Sequence, residues 1–214
     1  MKIAQVNTFE RQGGAARAAH RLHVGLRSID VDSTAVVARG TGEGPHVHLP
    51  PWPHRKIGSR VRSLLDILPA QLHPGHDGRM FSTGLLPDRT GRRIRAVDSD
   101  IIHLHWINAG FLSIGSLSAF ETPIVWTMHD MWPITGGCHY AGRCRRFESN
   151  CGRCPALGSS RSRDLSRLIW DKKSAVFDGL DLTVVTPSTW LAEQAAKSSL
   201  FEGVDIQVIP NGID

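Results

Sequence analysis

The chain has 214 residues, 41% of them apolar, and a formal charge of +5 from 25 Lys and Arg against 20 Asp and Glu. That apolar share is enough to fill a core and excludes a globally disordered chain. No run of five or six like charges occurs, so nucleic acid is not an expected partner, and the mild positive balance suits an anionic ligand or an acidic membrane surface. No window of about 18 apolar residues is present, so no transmembrane helix is expected. Met1-Lys2-Ile3-Ala4 leaves no room for a signal-peptide core, and a cytoplasmic location is the expectation.

In chain order, residues 2–7 read as a buried strand and 8–14 as a polar, glycine-bearing turn. Ala15, Ala19, Leu22 and Leu26 recur at helical spacing and predict a helix over 15–28. A second strand is predicted over 33–38, completing a βαβ unit that implies a parallel sheet. Residues 39–53 are rich in Gly, Pro and His and read as loop. Ile57, Val61, Leu64, Leu65 and Leu68 predict a helix over 56–72. A loop over 73–87 and a helix over 89–97 lead to a strong strand at 100–104. A short helix follows at 111–120 and a strand at 123–127. Residues 128–163 lack periodicity, and a loop that long needs a staple or a function. A helix (165–176), a strand (182–185), a helix (188–196) and a strand (206–209) finish the pattern. The alternation predicts a doubly wound, Rossmann-like α/β sheet with a cysteine-rich loop insertion. In such sheets ligands bind beyond the carboxyl ends of the strands, which here means residues 8–16, 105–110 and 127–132.

Gly13-Gly14 lies between the first strand and helix, where glycines let backbone N–H groups approach a phosphate; a plain turn is the alternative. The G-x-G-x-x-G fingerprint is missing and the second strand ends in Ala38-Arg39-Gly40 without an acidic residue, so a dehydrogenase is not expected. His103 and His105 share one strand face, as a packed residue and a cleft residue or as metal ligands. Asp98 and Asp100 imitate a D-x-D metal motif, but their place before a strand favours a turn. His129 closes a strand and can bond a ligand or move a proton; Asp130 could orient it, although adjacent side chains rarely point together.

Cys138, Cys144, Cys151 and Cys154 are the only cysteines and have the spacing C-x5-C-x6-C-x2-C. Four thiolates suit a closed structural Zn²⁺ site that staples the loop at 136–156, with His139 as a substitute ligand. Disulfides, four reduced thiols and an Fe–S cluster are the alternatives, the first disfavoured in the cytosol. No catalytic metal is expected.

Taken together, these segments resemble family 4 glycosyltransferases of the GT-B fold, in the bacterial exopolysaccharide branch that includes colanic-acid enzymes. The resemblance is carried by MKIAQVNTF (1–9), GGAARAAHRLHVGLR (13–27), DIIHLHWINAGFLSI (100–114), PIVWTMHDMWPITGGCHYAGRC (123–144), NCGRCPALGS (150–159), LTVVTPSTWLAEQAAKSSLF (182–201) and VIPNGID (208–214). It implies that residues 1–214 form the N-terminal, acceptor-side domain, ending where PNGID leads into a nucleotide-sugar domain that this chain lacks, with its E-x7-E segment. It implies a sugar donor bound with that second domain, a glycan or lipid-linked acceptor, transfer with retention, and peripheral contact with the inner face of the membrane through the basic stretch 55–95. By position, His129 would be the catalytic residue, and Gly13, Gly14, His105, Trp106, Asn108 and Asp130 would bind substrate. The alternative is a non-enzymatic, zinc-stapled binding domain.

Overall fold

The computed structural model describes residues 1–42, 46–50 and 57–212. The predicted helix start at 56, the first cation of the basic stretch at 55, the loop end at 53 and the last two residues of the PNGID segment lie outside the described residues. The described elements run β1 (Lys2–Phe9), α1 (Gly14–Ser28), β2 (Asp32–Arg39), β3 (Val47–His48), α2 (Ser59–Gln71), α3 (Thr90–Arg95), β4 (Ile101–Leu104), α4 (Ile114–Leu117), β5 (Ile124–Thr127), α5 (Leu165–Phe177), β6 (Leu182–Thr186), α6 (Thr189–Lys197) and β7 (Asp205–Val208).

All the strands pair in parallel, in the order β3-β2-β1-β4-β5-β6-β7. The chain therefore winds outward from β1 to β3, crosses back beside β1 and winds outward the other way. This is the doubly wound, Rossmann-like class that the alternation predicts. Its switch point lies between β1 and β4, where a crevice opens at the carboxyl ends of the two strands. Lys2–Phe9 is buried almost throughout, as a strand covered on both faces must be. Its polar side chains Gln5, Asn7 and Thr8 are buried as well.

Three helices depart from the pattern read along the chain. Helix α1 buries Ala16, Ala19 and His23, a stripe one residue on from that marked by Ala15, Leu22 and Leu26. It can do so because His23 Nδ1 lies 2.8 Å from Ser33 Oγ on β2, which satisfies the imidazole inside. Helices α3 and α4 are shorter than their apolar spacing suggests. Asp88 holds them by accepting hydrogen bonds from Thr90 N, Gly91 N, Ser113 N and Ser116 Oγ. Helix α2 forms as predicted, yet its apolar stripe faces outward: Ile57, Val61, Leu64, Leu65, Leu68 and Leu72 are between 43% and 72% exposed. The single buried carboxylate of α2, Asp66, instead takes Thr83 Oγ1 and Gly84 N, each at 2.8 Å.

The long segment after β5 is packed rather than loose. Three short 3₁₀ turns, Trp132–Ile134, Arg146–Glu148 and Pro155–Leu157, punctuate it. Trp132 is fully buried beside Trp126, ring centroids 6.3 Å apart. Gly136 and Gly137 make this packing possible. A side chain at 136 would collide with the Ser166 carbonyl, and one at 137 would enter the Phe81 ring from a backbone at φ +124. Lys173 of α5 is fully buried. Its ammonium donates to the carbonyls of Trp132 and Thr135 and lies 3.6 Å from the centre of the Trp132 ring. Burial lowers its pKa to about 7. No described helix is long and apolar enough to cross a membrane.

Candidate functional site

The ends of β1 and β4 are tied together at the switch point. Trp106 N donates to Asn7 Oδ1 at 2.9 Å, and Thr8 gives its N–H to Trp106 O and its hydroxyl to the carbonyls of Trp106 and Asn108. Beside them a cleft of about 870 Å³ opens, lined by Trp106, Arg39, Arg60 and Arg79 together with Leu64 and Ile67 of α2. Arg39 is already engaged: its guanidinium holds Ser59 and Ser63 at the start of α2 and stacks over Phe9.

Three histidine rings stack across neighbouring strand ends, His103 to His105 at 4.4 Å and His105 to His129 at 5.4 Å between centroids. His103 Nε2 pairs with Thr127 Oγ1 at 2.8 Å, His105 Nε2 with Gln5 Oε1 at 2.8 Å, and His105 Nδ1 with His129 Nε2 at 3.1 Å. His103 and His105 are thus a packed pair on their shared strand face: both nitrogens of His105 and Nε2 of His103 are spent on protein partners. Burial, reinforced by the neighbouring imidazoles, pushes His103 down to about 4 and His105 well below the usual histidine value. Burial brings His129 to about 4 as well, against a small opposing pull from Asp130. The stack is neutral at pH 7.

Asp130 does not orient His129. Its carboxylate faces the other way and accepts from Trp106 Nε1 at 3.0 Å, His139 Nδ1 at 2.7 Å and Trp132 N at 2.8 Å. Burial alone would raise its pKa. The hydrogen bond and charge of His139, with the Trp132 amide and the Trp106 indole, outweigh burial and hold the carboxyl below its ordinary value. His139 closes the network through Nε2 to Ser82 Oγ at 3.1 Å. Both its nitrogens are engaged, so it is not the spare metal ligand that its position suggests.

The structure therefore brings His105 and His129 into one hydrogen-bonded pair and Trp106 and Asp130 into a second beside it, and reaches Asn108 through Thr8. Gly13 and Gly14 stand apart at the exposed amino end of α1. Gly13 has φ +94 and no atom lies near either glycine's missing side chain, so the backbone there is open to a ligand. Asp98 and Asp100 lie at the opposite, amino end of β4. There Asp98 pairs with Lys2 and Asp100 with the Met1 amine, which is the turn role. Gln5 and Ser82 were not singled out from the sequence. A glutamine inside an otherwise apolar strand was a usable signal for the first; nothing local marks the second.

All four cysteines are free and line one small cavity of about 20 Å³. The closed four-sulfur centre that their spacing predicts is not supported by how the side chains are disposed. Among the described residues no group of three or more His, Cys, Asp or Glu side chains is disposed to hold a metal ion. The sulfurs turn to separate donors: Cys151 to Gly136 N at 3.2 Å, Cys154 to the amides of Leu157 and Ala156, Cys138 to Thr135. Burial raises Cys138 to about 11 and Cys151 to about 12, so these are unreactive thiols.

A parallel sheet that reverses its winding beside β1, with helices on its faces, defines a Rossmann-like α/β domain. The pattern of Glycosyltransferase Family 4 matches residues 12–214, and the chain belongs to that family. It is 25% identical over 233 residues to the putative colanic acid biosynthesis glycosyl transferase WcaC of Escherichia coli (strain K12). That alignment covers all of this chain and 55% of the relative, so the chain spans about half the length of the protein it matches.

Proposed function

We propose that this chain is the acceptor-side domain of a retaining, GT-B glycosyltransferase. It would work with a nucleotide-sugar domain to move a sugar onto a glycan or lipid-linked acceptor in surface polysaccharide assembly. The observation that carries this reading is the two hydrogen-bonded pairs at the strand ends, His105 with His129 and Trp106 with Asp130, beside a cleft in a chain of family 4. In this reading His129 contacts the sugar. The open backbone at Gly13 and Gly14, on the positive end of a 15-residue helix, faces the diphosphate. Asp130 is a brace: with three donors on its carboxylate it holds Trp106 at the cleft wall and has no free role as a nucleophile. Positioning and charge stabilisation then supply the rate enhancement. The test is sugar transfer from nucleoside diphosphate-sugars by the protein carrying this domain, comparing wild type with His129→Ala.

The α2 stripe supports peripheral membrane contact. Six exposed apolar side chains, four on one face of α2 with Ile57 and Leu72 flanking it, and Arg60 on the helix match an anionic lipid surface in both apolarity and charge. Leu64 and Ile67 of the same helix line the cleft, which would place a lipid-linked acceptor between membrane and site. The one small cavity that all four cysteines line supports a structural Zn²⁺, held by Cys138, Cys144, Cys151 and Cys154, as a staple for the 136–156 insertion.

A further inference from the structure

We infer that the Gln5–His105–His129 chain is polarised in one direction, which leaves His129 Nδ1 as a lone-pair acceptor and makes the ligand group it meets a hydroxyl donor. The inference deepens the reading in which His129 meets the sugar, and rests on it.

Burial disfavours the charged form of both rings, so each is neutral and carries one N–H and one lone pair. The 3.1 Å contact between His105 Nδ1 and His129 Nε2 uses one of each. Its direction is set by what lies on the far side of His105, which is Gln5 Oε1 at 2.8 Å. A carbonyl oxygen only accepts, so His105 carries its proton on Nε2 and turns the lone pair of Nδ1 toward His129. His129 must then donate from Nε2, and its Nδ1 is left unprotonated. That atom makes no hydrogen bond with the described residues, while His129 itself is only half-buried.

The orientation of the Gln5 amide follows from its other end. Gln5 Nε2 is buried without a hydrogen-bond partner among the described residues, and so is Glu10 Oε1. Both residues line the same cavity of about 20 Å³, which is room for one water. Glu10 also accepts from Gly42 N at 2.9 Å and lies 3.9 Å from Arg11 Nε. The N–H end of the amide dipole belongs on the side of a carboxylate and the C=O end on the side away from it, toward His105. The same wiring gives both rings the Nε2–H form, the intrinsically preferred tautomer of a neutral histidine. The reverse wiring would put the amide oxygen toward Glu10 and both rings in the less favoured form. Gln5 and His105 are thus positioning residues: neither need touch the ligand, and together they decide what His129 can bind.

Long-range ¹H–¹⁵N correlation of the imidazoles in the ¹⁵N-labelled chain at neutral pH tests this, with signals assigned through His105→Asn and His129→Asn. The expected spectrum shows a pyrrole-type shift at His129 Nε2 and a pyridine-type shift at Nδ1, with the same pattern in His105. Gln5→Glu, which keeps the acceptor, preserves the pattern; Gln5→Met, which removes it, moves both rings toward a tautomer mixture. A protonated Nδ1 on His129 in the wild type overturns the proposal, and should Gln5→Met not fold, that wild-type spectrum still decides. A pattern unmoved in folded Gln5→Met overturns the role of Gln5. No sugar is present in this measurement, so a reversed wiring leaves the glycosyltransferase reading intact. Loss of that reading would show instead as transfer unaffected by His129→Ala.

Discussion

His105 and His129 are hydrogen-bonded ring to ring, Nδ1 to Nε2 at 3.1 Å, across the carboxyl ends of adjacent strands. The residue next to His129, Asp130, turns away from that pair to hold Trp106 and His139. Two neighbours in sequence therefore take different directions, His129 into the imidazole stack and Asp130 into the scaffold.

This division predicts opposite costs. Asp130→Ala would leave the indole N–H of Trp106 and Nδ1–H of His139 unpaired in a buried setting, a loss on the order of 3 kcal/mol. At about 2–4 °C per kcal/mol for a chain of this size, the melting temperature should drop by roughly 6–12 °C. A drop no greater than that of His129→Ala would remove Asp130 from the scaffold.

Stability should fall on acidification between about pH 6.5 and pH 4. His103 and His129 titrate near 4 in the fold against about 6.5 when unfolded. In that window the unfolded chain binds more protons, stability rises with pH, and above the window these groups add no slope. Urea midpoints measured from pH 7.5 to 4.5 should decline, and His103→Phe should reduce the decline. Midpoints that stay level would show the stack to be charged or solvated.

Helix α2 makes a prediction about vesicles. Leu64→Ser combined with Leu68→Ser removes two exposed side chains, each worth about 1.5–3 kcal/mol if fully buried, and should weaken cosedimentation with phosphatidylglycerol vesicles at least tenfold. These positions are cleaner probes than Arg62 or Arg93, whose guanidinium groups hold the carbonyls of Gly110 and His48. Unchanged binding would leave the stripe without a membrane role.

The cysteine cluster is tested by metal analysis of protein purified without added zinc. About one Zn²⁺ per chain is expected of a closed structural site, with all four sulfurs protected from thiol reagents until a chelator is added. Metal-free protein with four thiols titrating after unfolding would return the insertion to a thiol-packed loop.

Much of this was legible in the sequence. Strand–helix alternation led to the parallel sheet, and the strand ends it placed at 105–110 and 127–132 hold the His105–His129 and Trp106–Asp130 pairs. The side-chain directions were not legible. That Asp130 points to Trp106 depends on a turn that also brings in His139, nine residues on, and Ser82, 57 residues from His139. The outward stripe of α2 was equally hidden: spacing fixes that Val61, Leu64, Leu65 and Leu68 share a face, but not whether that face meets the core. The stripe of α1 slipped by one residue because a partnered histidine is as acceptable inside as leucine.

The central claim is that His129 acts on a sugar and not on the fold. It is tested most directly by measuring transfer and melting temperature together in His129→Ala, in the protein carrying this domain. The account predicts that turnover falls at least a hundredfold while the melting temperature falls by only a few degrees. Turnover retained, or lost only in proportion to folded protein, would contradict it.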